Sequence, residues 1–210
     1  MAEADIEAAL ATWTLSHVVR RNGRPLPAAH IELARRRMAE PGALLLLARA
    51  ESGEGGGEDS EGGRGRESGK DSGGGADGSG AAGARVTAAV VPAAEGGDRA
   101  AAESGPVVGT ILGVQGLDQD GAGPPVPGLL HISLLSVAPD RWGQHIGRLL
   151  VDQVLDSASA RGFEQAQLWT HADNLRANRL YKSMGFRRSG RVRIDDWGEL
   201  LVHYRRAVRH

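Results

Sequence analysis

SVAPDRWGQHIGRLLVDQVL, residues 136–155, passes within a few positions from extended apolar residues, through Pro139 and Gly143, into the spacing of an amphipathic helix. A strand that ends in a tight turn and feeds straight into a helix leaves several N–H groups at the helix start without a partner in the chain. Partial positive charge gathers there, so such an end attracts anions. Gly143 and Gly147 allow close approach of backbone to a ligand, and Leu149, Leu150, Val154 and Leu155 supply a buried face. The stretch has neither the Gly-Lys-Ser/Thr of a phosphate-binding loop nor a full G-x-G-x-x-G. Read alone, the stretch is either a cradle for an anion such as a pyrophosphate or the plain connection between strand and helix that most α/β proteins contain, and it names no ligand.

Working outward, LLHISLLSVA (129–138) reads as the strand entering this stretch, and a helix over about 142–160 ends near Gly162. A strand AQLWTHA and a helix near 174–184, stopped by Gly185, follow. VRIDDWGELLVHYRR reads as two strands joined around Asp195–Gly198. Upstream, Ile6, Leu10 and Trp13 mark one helix over 3–21, and Ile31, Ala34 and Met38 mark a second over 28–39. ALLLLARA is a buried strand, and PVVGTILGVQG (106–116) an alternating one. DQDGAGPPVPG (118–128) reads as a turn. This order of elements indicates an α/β or α+β protein built on a mixed sheet.

Residues 51–83 break the pattern. They hold 14 of the chain's 31 glycines among Ser, Glu and Asp, with no aliphatic residue larger than Ala. Such a segment buries too little surface to offset its ordering entropy, so disorder is expected over most of 51–105, as an insertion in a surface hairpin of a single 1–210 domain. RVTAAVV (85–91) is a candidate short strand inside it.

The 25 basic and 26 acidic residues nearly cancel, which gives no global electrostatic case for nucleic acid or an anionic membrane. With no cysteine, disulfides, thiolate metal sites and a cysteine nucleophile are all excluded. The acidic N-terminus lacks the features of a secretory signal and ALLLLA is too short to span a bilayer, so a cytoplasmic location is expected. The histidines show no H-E-x-x-H or similar spacing, and no metal is expected.

In THADNLRANRLYKSMGF, Asn174, Ala177 and Tyr181 follow i, i+3, i+7 spacing, which suits an elongated ligand along one helix face or a Tyr that plugs the core. VAPDRWGQHIGRLL, followed after one helix by LWTHADNLRANRLYKSMGF, resembles the GNAT superfamily of N-acetyltransferases: the first is similar to its R/Q-x-x-G-x-G/A loop, the second to its N-x-x-A-x-x-L-Y-x-x-x-G-F segment. The resemblance implies a GNAT-like fold with a splayed central strand pair. It also implies acetyl-CoA as co-substrate and transfer of the acetyl group to a primary amine by direct attack, without an acetyl-enzyme. An acyl-CoA-binding regulatory module without catalysis is the alternative. The acceptor would be an amine of a small molecule or a protein, and a homodimer is compatible with the resemblance.

By the same resemblance, backbone groups of Leu135, Ser136 and Val137 would hold the pantetheine arm, with the Leu135 N–H polarising the thioester carbonyl. Amides of Gly143, Gln144, His145, Ile146, Gly147 and Arg148 would hold the pyrophosphate, and Asn174 would touch the arm. Tyr181 would protonate the departing thiolate. His131, four residues before Leu135 on one strand, is expected on the same sheet face and is the candidate base, its ordinary pKa of about 6.5 suiting proton uptake. Two positions depart from the loop pattern: Trp142 stands for Arg or Gln, and His145 for the middle Gly. His171 is a further candidate lining residue, and Asp195 and Asp196 read mainly as turn formers.

Overall fold

Residues 3–50, 84–90 and 105–208 are described by a computed structural model. Two helices, α1 (Glu3–Arg20) and α2 (Ala28–Met38), precede strands β1 (Leu44–Ala50), β2 (Ala84–Val90), β3 (Val107–Leu117) and β4 (Pro125–Val137). Then come α3 (Ile146–Ala160), β5 (Gln165–His171), α4 (Leu175–Ser183), β6 (Arg187–Ile194) and β7 (Leu200–Ala207). The strands form one mixed sheet in the order β2-β1-β3-β4-β5-β7-β6. All neighbours are antiparallel except β4 and β5, which α3 joins as a crossover. The fold class expected from the sequence is the one observed.

Most of the expected insertion, residues 51–83 and 91–104, lies outside the described residues. Within it, Ala84–Val90 is the edge strand β2, paired along β1 from Leu44↔Val90 to Ala50↔Ala84. No described helix is long and apolar enough to cross a membrane.

Each face of the sheet has its own core. Leu130 and Ile132 of β4 pack with Leu150, Val151 and Val154 of α3 on one side; Leu134 packs with Leu10 of α1 and Met38 of α2 on the other. Fully burying one such side chain contributes on the order of 2 kcal/mol. α3 lies close on the sheet because Gly109 has no side chain: a Cβ there would stand 3.0 Å from both Ile146 and Leu150. That close seat brings the first turn of α3 to the end of β4.

Two details depart from the sequence expectation. α3 begins at Ile146 and not near 142, because Gly143 (φ 89°) and His145 (φ 61°) are left-handed and cannot be helical. In β4, Leu134 pairs with Leu112 and Ile132 with Gly113, which leaves Ser133 as an extra residue, a β-bulge. The bulge reverses the alternation of faces. Leu130 and Ile132 point to α3 before it, whereas Leu135 and Val137 do so after it. His131 and Leu135 therefore lie on opposite faces, although they are four residues apart.

Candidate active site

β4 and β5 pair from Leu129↔Gln165 only as far as Ile132↔Leu168. Beyond that rung the strands part, and β5 continues against β7 alone. The Ala138 N–H donates to the Val108 carbonyl of β3 (2.8 Å), so by strand alternation the N–H and C=O groups of Leu135 and Val137 face the gap while those of Ser136 turn to β3. The Ser136 hydroxyl donates to the Thr12 carbonyl of α1 at 3.2 Å, which adds to its distance from any ligand role. The splay expected in the sequence is present. The backbone that faces it belongs to two of the three expected residues.

A cavity of about 390 Å³ opens at this end. One wall is Leu135–Val137, a second is the loop through Trp142 and Gly143 into His145–Arg148, and a third is Asn174, Ala177 and Leu180 of α4. His145 caps α3 in left-handed conformation with no side-chain hydrogen bond to the helix. The Gln144 amide donates to the Arg141 carbonyl (3.4 Å) and the Arg148 amide to the His145 carbonyl (3.0 Å). The amides of Gly143, His145, Ile146 and Gly147 have no acceptor among the described residues. These four, rather than an unbroken run to Arg148, are the donors offered to an anion. Gln144 stands outside the lining. Gly147 has a second role: a Cβ there would meet Leu180 at 3.3 Å, so it also sets the approach of α3 to α4.

The departures in the loop have structural consequences. Trp142 Nε1 donates to the Val137 carbonyl at 2.8 Å, tying the loop back to the strand and occupying one polar group of the gap. Its ring carries the Arg176 guanidinium at 3.9 Å. Arg141, Arg148 and Arg176 all line the cavity and supply the charge that Trp142 does not. A second cleft of about 700 Å³ adjoins it through Arg148 and Ser183 and adds Arg187, Arg205 and Arg206.

Asn174 lines the cavity, and its side-chain oxygen caps α4 by accepting the Ala177 N–H at 3.1 Å. Tyr181 does not share that wall. Leu180 takes the place, and Tyr181 turns into the core against Phe186 and Tyr204 at centroid distances of 5.7 and 6.1 Å. It is 5% exposed, and burial pushes its phenol well above the ordinary value. His131 is not in the lining either. It sits on the α1–α2 face, its Nδ1 buried without a hydrogen-bond partner among the described residues. Burial, aided by Arg37, Arg193 and His203, lowers its pKa to about 4.

Sequence reasoning missed the contribution of α1. Ser16 and Arg20 line the cavity, and Arg20 donates to Glu199 (2.7 Å) and Asp173 (3.4 Å). His171 Nε2 lies 3.2 Å from Asp195 and 3.1 Å from Glu199, and the ligand atoms of the three fall within 4.8 Å of one another. Arg20 and Arg21 both pair with Glu199, so the cluster serves as an ion-pair lock between α1, the β5–α4 turn and the β6–β7 hairpin. The Arg20 hydrogen bond keeps the Glu199 carboxyl below the usual range. Asp195 is the turn former the sequence suggested: its Oδ1 accepts the Trp197 and Glu199 N–H groups at 2.9 and 2.8 Å. Contact from distant segments leaves no spacing to read.

With this geometry in view, residues 89–186 match the family model described as Acetyltransferase (GNAT) family, and the match takes in the gap, the loop and α4. Residues 89–186 belong to the GNAT family. The chain is 40% identical over 56 residues to a mycothiol acetyltransferase of Beutenbergia cavernae, covering 27% of this chain and 19% of that protein. It is 37% identical over 71 residues to a peptidyl-lysine N-acetyltransferase of Salmonella typhimurium, covering 33% and 44%. The matched stretch thus spans less than half the length of either relative. In fold, the chain resembles the ribosomal-protein-S18-alanine N-acetyltransferase of Escherichia coli (TM-score 0.55, 15% identity, 100% of this chain and 92% of that one). It is equally close to a GNAT-family structure from Desulfovibrio desulfuricans (TM-score 0.56, 14% identity, 99% and 95%).

Proposed function

We propose that the chain, as one domain, is an N-acetyltransferase that moves the acetyl group of acetyl-CoA to a primary amine by direct attack. The observation that carries this reading is the coincidence, in one cavity, of the β4–β5 gap with four unpartnered amides at the start of α3. The residues fit the donor. The amides and three arginines suit a pyrophosphate, the Leu135 and Val137 backbone suits an amide-bearing arm, and Ile146, Ala177 and Leu180 offer it apolar wall. Arg187, Arg205 and Arg206 in the adjoining cleft suit a further phosphate.

Acetyl-CoA supplies an activated thioester carbonyl. The Leu135 N–H, aimed into the gap, is the group placed to polarise that carbonyl. A thiol of pKa about 8.5 leaves with little help, so proton donation is the smaller demand. Tyr181 is the donor this reading assigns. Burial keeps its proton on and also makes the proton costly to give, so its contribution is expected to stay below about tenfold. His131 is the base, from the opposite face of the sheet. Its neutral imidazole is ready to accept at any pH above about 4, but it is a weak base in that setting.

Thermal shifts with acetyl-CoA and desulfo-CoA, followed by an amine panel read by thiol release, test the reading; the absence of cysteine removes protein background from that assay. Stabilisation by both ligands with turnover on amines is expected. Binding without turnover on any amine would replace the enzyme with an acyl-CoA-binding regulatory module. No binding would refute both.

A further inference from the structure

The face of the sheet turned toward α1 and α2 carries a group of side chains that the donor cavity does not use. Ser133 and Trp169 are the first residues past the last paired rung of β4 and β5, so they flank the mouth of the gap on this face. Arg37 of α2 donates to the Ser133 hydroxyl at 3.0 Å. The Arg193 guanidinium of β6 lies 4.8 Å over the Trp169 ring, and His203 of β7 packs against the same ring at 4.7 Å. His131 stands one rung below.

Burial, with repulsion from the Arg37 guanidinium second, holds Arg193 below its ordinary pKa. Neither has an ion pair with a carboxylate among the described residues. Asp195 and Asp196 offset part of this charge at Arg193, but both have other partners: Asp195 its own turn and His171, and exposed Asp196 His30 at 3.5 Å. His203 adds no negative charge. Its Nε2 faces the Gln167 Oε1 at 3.1 Å and its Nδ1 the Ser189 hydroxyl at 2.7 Å, the pattern of a neutral ring. Two like charges set beside a flat apolar floor at the entrance to a reaction gap cost free energy that a bound anion returns, and the planar guanidinium fork matches a carboxylate.

We propose that this face receives an acceptor that carries a carboxylate close to its amine, the carboxylate held between Arg37 and Arg193 over Trp169 and the amine directed into the gap beside His131. The inference rests on the amine-acetylation reading above and adds the acceptor class to it. An anion between the arginines also offsets charge that makes His131 a poor base.

Matched acceptors test it: glycine against glycinamide and β-alanine against β-alaninamide, with acetyl-CoA turnover read by thiol release. The acids are expected to exceed their amides at least tenfold in kcat/KM, with Arg193→Gln and Arg37→Gln each moving the ratio toward one in protein whose melting temperature is retained. The amides hold more free amine at a given pH, so the chemical bias runs against the proposal. Amides equal to or better than acids would overturn it while leaving acetyl transfer standing. A second arm needs no turnover: calorimetry of CoA-saturated protein with N-acetylglycine and N-acetylglycinamide. Tighter binding of the acid, lost in Arg193→Gln, supports the proposal; equal binding, or no binding of the acid, overturns it whatever the outcome for transfer.

Discussion

Two helices start at the same cavity and finish their first turns differently. α4 is capped by its own sequence: Asn174 accepts the Ala177 N–H before any ligand arrives. α3 has no such cap. His145 sits left-handed at the equivalent place with its side chain off the helix, and four loop amides are left without acceptors among the described residues. A missing cap costs about 1 kcal/mol in a helix that has nothing else there. At one cavity, then, one helix start is capped and its neighbour is open, and the proposed diphosphate site uses the open one.

The comparison holds only while the sheet under both helices stands, and acid is the broadest way to break it. Burial first, and arginine neighbours second, hold His17, His131 and His203 each near a pKa of about 4. The unfolded chain takes up protons at about 6.5 that the folded chain refuses, so stability is complete above about pH 6.5 and is lost as pH falls toward 4, by roughly 1–3 kcal/mol per histidine. Urea midpoints between pH 7.5 and 4.5 should fall accordingly, and less steeply in His203→Gln. A narrower break is Gly147→Glu. The new Cβ meets Leu180 at 3.3 Å and Val137 at 3.8 Å, which drives the carboxylate into the cavity against the amides. Acetyl-CoA affinity by calorimetry should drop on the order of 100-fold, about 2.7 kcal/mol.

His145→Asp sharpens the contrast by giving α3 a negative start like a capped helix. The free protein should gain about 0.3–1 kcal/mol in chemical unfolding, while acetyl-CoA binding weakens roughly tenfold, so stability and affinity move in opposite directions. Asn174→Ala does the converse to α4 and should cost about 1 kcal/mol of stability. Its effect on acetyl-CoA affinity should be smaller than that of Gly147→Glu.

The loop, both flanking helices and the order of elements along the chain were legible in the sequence because each is written locally: Pro139 and Gly143 punctuate the turn, Gly185 ends α4, and apolar spacing marks the buried faces. The bulge at Ser133 was not. LLHISLLSVA is apolar on both faces, so one extra residue leaves no break in the pattern, and the face assigned to His131 came out reversed. The core position of Tyr181 was hidden for a related reason. Leu180 and Tyr181 are adjacent on α4, and only the packing of Phe186 and Tyr204 decides which of them meets the cavity. Arg20, Arg37 and Arg193 come from three separated segments, and in a chain with two lysines and many arginines no single arginine stands out.

The most direct measurement is an amide-resolved NMR titration of the protein with acetyl-CoA. The largest shift changes are expected at Gly143, His145, Ile146 and Gly147, with Leu135 following and the capped Ala177 nearly still. Saturable binding that leaves those four amides unmoved, or shifts confined to α4 and the arginine cleft, would contradict the claim that the uncapped start of α3 holds the diphosphate.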